Sequence, residues 1–127
     1  MDDDHTCWRQ VPGGLVFDGF AKYEAFNPKT AEQHQLSVGH SSKIGAFDCY
    51  FQCTVVLNLK SVGVAQFPSK AIQEANEAMA VAAALWDDSM LPDRPDWHCY
   101  VDFAPMLSRQ LRKDYAQKLW LAARDAG

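Results

Sequence analysis

The side chains best suited to chemistry in this chain are its histidines and cysteines. Structural zinc sites favour paired Cys-x-x-Cys knuckles, and none occurs in the sequence. The nearest pair, Cys49 and Cys53, would lie about 13 Å apart on a strand, too far to hold one ion. We therefore expect no metal and no cofactor. The residues considered are His5, His34, His40, His98, Cys7, Cys49, Cys53 and Cys99.

A nucleophilic catalytic site is not indicated either. Nucleophilic catalysis needs a base beside an activated serine or cysteine, and His40-Ser41-Ser42 is the one suggestive grouping. The Gly-x-Ser-x-Gly turn of serine hydrolases does not occur. Cys49 and Cys53 are predicted on an apolar face, where a thiol is inert. We expect a non-enzymatic protein whose cysteines are free and buried.

The composition is that of one globular domain. Of 127 residues, 48% are hydrophobic and 22% charged, and a chain of this length buries a core without disulfides. The net charge of −4 argues against nucleic acid as a partner, because phosphates attract clustered Lys and Arg. No apolar run reaches about eighteen residues, and the acidic start is unlike a secretory leader. We expect a cytoplasmic protein that does not bind a membrane.

Turn signals divide the chain into an acidic N-terminal tail, residues 1–14, and a single α+β domain, residues 15–127. The division rests on Pro12-Gly13-Gly14, a strong turn signal. Aromatic and β-branched residues predict a first strand at 15–26, and a weaker, polar strand is predicted at 33–39.

The clearest alternation in the chain runs from Phe47 to Leu59, where every odd position is apolar. A two-residue period is typical of a strand with one face in the core, so a long, bent strand is predicted there. Residues 97–103 alternate in the same way and form a later strand. Residues 62–67 either continue the long strand or form a separate one.

Helical periodicity appears twice in the second half of the chain, at 69–89 and 105–124. Ser69 is a suitable N-cap for the first helix. The predicted fold class is therefore α+β: a curved antiparallel sheet of four to five strands packed by two helices, in the order β-β-β(-β)-α-β-α.

Three carboxylates occupy suggestive positions in this order of elements: Asp18 in the first strand, Glu77 in the first helix and Asp102 at the end of a later strand. The order resembles the first part of the ribonuclease H fold, which holds two divalent ions with acidic residues from such positions. The resemblance implies a divalent-metal-dependent phosphodiesterase or nuclease, with Asp18, Glu77 and Asp102 as its catalytic set. It stands as an alternative, because Glu77 projects away from the packing stripe of its helix.

A binding role is the leading expectation. A sheet face carrying Tyr50, His98, Tyr100 and Asp102 offers aromatic, basic and acidic groups to a partner. We expect a small binding module that acts through a protein partner or as a homo-oligomer. A further alternative is a small-molecule-binding protein with a pocket between the sheet and the alanine-rich helix, lined by aromatic residues and Met79.

Overall fold

A computed structural model describes residues 5–17, 19–28 and 34–126. Strands and helices are interspersed along these ranges. The strands are β1 (Thr6–Pro12), β2 (Val16–Phe17), β3 (Phe20–Ala21), β4 (Gln35–His40), β5 (Ser61–Pro68), β6 (Ala84–Asp87) and β7 (His98–Asp102). The helices are a 3₁₀ helix (Tyr23–Phe26), α1 (Ala46–Phe51) with a π-helical extension (Gln52–Val56), α2 (Lys70–Met79) and α3 (Arg109–Ala126).

The main sheet has five strands in the order β5-β1-β4-β7-β6, and every neighbouring pair is antiparallel. This confirms the predicted α+β class with its antiparallel sheet. Thr6–Pro12, which the sequence analysis placed in the tail, is strand β1 with a neighbour on each side. β2 and β3 form a separate two-stranded hairpin, whose turn includes Gly19 at a φ of 81°. Residues 61–68 form a strand of their own.

The core lies on one face of the main sheet, under α2 and α3. Leu36, Val38 and Val101 project from the sheet into this core, as alternation along a strand requires. The Tyr115 hydroxyl of α3 donates a hydrogen bond of 3.1 Å to the Ile72 carbonyl of α2 and so joins the two helices. No helix in the described ranges has the length and apolar character needed to cross a membrane.

The prediction of a long strand from Phe47 to Leu59 is wrong, because this segment is α1 and its π-helical extension. Apolar residues at every second position also recur at every fourth, which is the spacing of one helix face. Gly45 precedes the first turn and Asp48 lies within it, where an acidic side chain favours a helix N-terminus. The alternation therefore indicated an amphipathic pattern without fixing its period.

The predicted helix at 69–89 ends early, at Met79. Ala80 adopts a left-handed backbone conformation with φ 54°, and the Asn76 amide bonds the backbone of Ala83 through both its oxygen and its nitrogen. Residues 84–87 then pair with β7 as an edge strand. Sheet pairing has overridden the helix propensity of the alanines, so the prediction of a helix at 69–89 holds only for residues 70–79.

Candidate functional site

The second face of the sheet, opposite the core, carries a row of three residues on neighbouring strands. Trp8 pairs with Gly39, and Gly39 pairs with His98, so their side-chain positions lie side by side. A Cβ at Gly39 would stand 3.0 Å from the Cys49 sulfur. Because Gly39 has no side chain, the Cys49 thiol of α1 packs directly against the sheet at this position.

Helix α1 directs two thiols at this row. Cys49 and Cys53 are four residues apart, so they share one face of the helix, and both are buried beside Trp8 and Trp97. The interaction between the two thiol groups raises the pKa of Cys49 and lowers the pKa of Cys53. Burial opposes the lowering at Cys53, and the Arg9 guanidinium adds to it. The arrangement stabilises a thiolate on Cys53.

Arg9 lies at the point where β1 and β4 stop pairing, since their register ends at Trp8 and Gly39. Its Nε donates to the Ala25 carbonyl at 2.7 Å and its Nη1 to the Ser37 carbonyl at 3.0 Å. The side chain is only 5% exposed. Arg9 thus satisfies buried carbonyls of two elements and holds a positive charge near Cys53.

His98, at the other end of the row, is held by a buried carboxylate. Its Nδ1 lies 2.5 Å from the Asp88 Oδ1, and Arg94 Nε lies 3.3 Å from the other carboxylate oxygen. Asp88 and His98 are both buried. The carboxylate fixes the orientation of the imidazole and joins the residue 93–97 loop to the sheet.

These residues line one groove, which we call the dithiol groove, with a volume of about 440 Å³. Its walls include Trp8, Arg9, Gln10, Cys49, Cys53, Leu57, Trp97 and His98. Two buried polar atoms in its walls, Trp97 Nε1 and Gln10 Oε1, have no hydrogen-bond partner among the described residues. Buried polar groups are nearly always paired, so a donor and an acceptor are left for a bound molecule. The size is that of a small-molecule site.

Of the four residues predicted to form a binding face, His98, Tyr100 and Asp102 share the second face of β7, and Tyr50 is the one that does not lie on the sheet. Tyr50 lies on α1 and not on the sheet, and His98 is buried against Asp88. Tyr100 and Asp102 share the second face of β7, where Trp86 pairs with Tyr100 and is 54% exposed. The sequence analysis missed Trp86 because it placed that residue on a helix.

Of the carboxylates of the phosphodiesterase alternative, Glu77 and Asp102 are not brought together. Asp18 lies outside the described residues. Glu77 is on the solvent side of α2, which covers the core face, whereas Asp102 alternates with the buried Val101 and so points to the other face. Among the described residues no group of three or more His, Cys, Asp or Glu side chains is placed to hold a metal ion.

The space between the sheet and α2, where a small-molecule pocket was predicted, is filled by packed side chains. Ala71, Ile72 and Ala75 of α2 are buried in the core. Met79 lines a surface depression beside Leu111 of α3 instead. The dithiol groove lies on the opposite face of the sheet.

His40, from the predicted His-Ser-Ser grouping, is buried at the end of β4. Its Nδ1 lies 2.6 Å from the Ser42 hydroxyl, and its Nε2 has no partner among the described residues. Burial lowers the pKa of His40, and His5 and Lys43 lower it further against the opposing charge of Asp87. The imidazole is therefore held neutral, with its Nδ1 within hydrogen-bonding distance of the exposed Ser42 hydroxyl.

We expect His40 to make the stability of the fold depend on pH. Because its folded pKa lies below the ordinary value of 6.5, the unfolded chain binds more protons just below that pH. The stabilisation is complete above pH 6.5 and is lost as the pH falls towards the lowered pKa. Urea unfolding between pH 7.5 and 5.5 should show a smaller decline in His40→Asn than in the wild type. Equal slopes would contradict this assignment.

The outer side of α1 is apolar and faces solvent. Phe47, Phe51 and Val55 follow one another at helical spacing on the side opposite the two cysteines, and they are 77%, 47% and 62% exposed. Val56, Leu57 and Leu59, which follow in the chain, are also exposed, and Leu57 and Leu59 border the dithiol groove as well. We call these six residues the α1 stripe. The alternating pattern was the sequence signal for them, but it was interpreted as a buried face.

Cysteine burial was predicted correctly, since all four cysteines are free and buried. The proximity of Cys49 to Cys53 was missed, because the 13 Å estimate depended on a strand. Comparison with protein-family models, with characterised proteins and with solved structures finds no match to this chain.

Proposed function

We propose that this chain is an interaction module that associates with a second copy of itself through the α1 stripe. The observation that carries the proposal is the solvent exposure of six large apolar side chains between Phe47 and Leu59, four of them on α1 and its π-helical extension. Scattered exposed apolar residues are ordinary, but contiguous ones mark interaction surfaces. The stripe therefore supports association with another apolar protein surface.

The area of the stripe is in the range that such a contact needs. With about 150–250 Å² for a large exposed side chain, the exposed fractions amount to on the order of 500 Å² of apolar surface. A stable interface buries about 800 Å² on each partner, including its polar rim. The α1 stripe is large enough to form the apolar centre of an interface of that size.

A second copy is the occupant that the charges favour. Asp48 is the one charged residue between Ala46 and Leu59, so two stripes meet without a row of like charges. A two-fold axis through the contact would place each stripe against the other, which is the usual arrangement of homodimers. The aromatic rings of Phe47 and Phe51 supply the kind of anchor on which interfaces depend.

Replacing Phe47 and Phe51 together by Glu should weaken self-association by at least about a hundredfold, since two anchors are lost and two charges enter the contact. Sedimentation equilibrium of the wild type should give a mass that rises towards two protomers with concentration. The F47E/F51E variant should remain at the mass of one protomer.

Leu107→Glu is the matched control, because Leu107 is another exposed apolar residue, 89% exposed, that lies outside the stripe. It should associate like the wild type. A wild-type chain that keeps the mass of one protomer at high concentration would exclude self-association. Equal effects in the control and in the double variant would show that the stripe is not the contact.

A further inference from the structure

The two thiols on the inner side of α1 form a site that the interaction role does not use. Cys49 and Cys53 share one face of α1, lie in one buried cluster and line the dithiol groove. We propose that they form a redox-active dithiol, and that the groove admits a peptide-like disulfide as the substrate of thiol–disulfide exchange. Phe47 and Phe51 of the α1 stripe lie on the side of the helix opposite the two cysteines, whereas Leu57 and Leu59 also line the groove.

The positions of the two residues allow a disulfide to form between them. Residues four apart on a helix have Cα atoms about 6 Å apart, which is inside the range of roughly 4.4–6.8 Å that disulfides tolerate. Their Cβ atoms, about 5–6 Å apart, must approach by roughly 1–2 Å. The helix widens at this point, where Leu57 N–H bonds the Gln52 carbonyl at 2.8 Å. The backbone here is already out of regular α-helical register.

Cys53 is the attacking group and Cys49 the resolving one. The thiolate is the reactive form of cysteine, and the neighbouring Cys49 thiol and the charge of Arg9 both lower the pKa of Cys53. By contrast, burial raises the pKa of Cys7 to about 12 and that of Cys99 to about 11. Both of those thiols lie in the core on the other face of the sheet, so only the α1 pair combines a thiolate with a groove.

The exchange balances without any further reagent. The Cys53 thiolate attacks one sulfur of the substrate disulfide, an S–S bond forms, and the other half of the substrate leaves as a thiolate. Cys49 loses its proton to solvent and attacks the Cys53 sulfur of the mixed disulfide. The Cys49–Cys53 disulfide forms and the second half leaves, so the protein loses two electrons and the substrate gains two.

The unpaired atoms in the groove indicate a substrate with amide groups. Trp97 Nε1 can donate to a peptide carbonyl, and Gln10 Oε1 can accept from a peptide N–H. Trp8 Nε1 is already used, since it donates to the Ile44 carbonyl at 2.8 Å. A disulfide flanked by peptide bonds satisfies both orphan atoms and reaches the thiols on the same wall.

Glutathione disulfide is the probe for the test, applied to the reduced, folded protein with products followed by mass spectrometry. The wild type should lose two hydrogen atoms and yield a cross-linked peptide joining Cys49 to Cys53. Cys49→Ser should instead accumulate one glutathionyl group on Cys53. Cys53→Ser should react at least about tenfold more slowly, and Cys7→Ser, the control, should behave like the wild type.

Reaction that appears only after unfolding in urea would overturn the proposal, as would glutathionylation of Cys49→Ser at a residue other than Cys53. Circular dichroism of each variant establishes that it is folded. Trp97→Phe should slow exchange with glutathione disulfide but not with bis(2-hydroxyethyl) disulfide, which has no amides. If Trp97→Phe changed the exchange rate equally with both disulfides, the proposal of a peptide-like substrate would be overturned. The F47E/F51E variant should still exchange, which keeps this test separate from that of self-association.

Discussion

Gly39→Val should destabilise the protein by about 3 kcal/mol, at the upper end of the usual cost of overpacking. Even the first added carbon would stand 3.0 Å from the Cys49 sulfur and 3.1 Å from Ile44 Cγ2. The two valine methyl groups have no space unless α1 moves away from the sheet. Urea unfolding measures the loss, and reaction of the α1 thiols with a maleimide in the folded state should become faster.

Gly63→Val is the matched control, because Gly63 also lies on a strand and a Cβ there would meet nothing within 4 Å. It should change stability by less than about 0.5 kcal/mol. If Gly39→Val is no more destabilising than Gly63→Val, then α1 does not pack against Gly39, and the structure of the dithiol groove described for this face is wrong.

Arg9→Met should cost about 3 kcal/mol, because it removes a buried side chain that donates to two carbonyls. Hydrogen bonds from charged donors contribute about 1.5–3 kcal/mol, and an orphaned buried acceptor costs a similar amount. Methionine keeps most of the apolar stem, so the loss reports the guanidinium. Chemical unfolding of the variant against the wild type measures the effect.

The same substitution should raise the pKa of Cys53, since the Arg9 charge helps to lower it. The rate of alkylation by iodoacetamide at neutral pH should therefore fall in the folded variant. Arg109→Met, at an exposed position of α3, should change neither stability nor alkylation. Unchanged alkylation in Arg9→Met would show that Arg9 does not act on the thiolate.

The parts of the fold that could be predicted from the sequence are those where the buried residues follow the period of the apolar residues along the chain. In β7, Cys99 and Val101 point into the core and Tyr100 does not, so the alternation is the burial pattern. In α3, Tyr115 and Leu119 lie at helical spacing and both are buried. At such positions the hydrophobic effect acts on the side chains that the period selects.

Strand β1 was not predicted from the sequence because one of its buried positions is an arginine. Cys7, Arg9 and Val11 alternate with less buried residues, but a charged residue among them hides the period. Only the tertiary structure supplies the carbonyls that make its burial tolerable. The dithiol groove escaped for a related reason, since its two cysteines come together only if their segment is helical.

The α1 stripe shows the limit of pattern reasoning most directly. Seven apolar residues at alternate positions suggest a buried face, yet Phe47 is among the most exposed side chains of the described chain. A single sequence does not distinguish apolar residues that are buried in the core from apolar residues that bind a partner. The helix period and the contact surface therefore had to come from the structure.

The position of β1 has a consequence for how the protein is made. The strand is translated before both of its neighbours, and its partner β5 begins about fifty residues later in the chain. Until Ser61–Pro68 has left the ribosome, one side of β1 has unpaired backbone groups, which are open to pairing with other nascent chains. Such distant pairing slows folding, so we expect the yield of folded protein to depend on chaperones or on slow expression at low temperature.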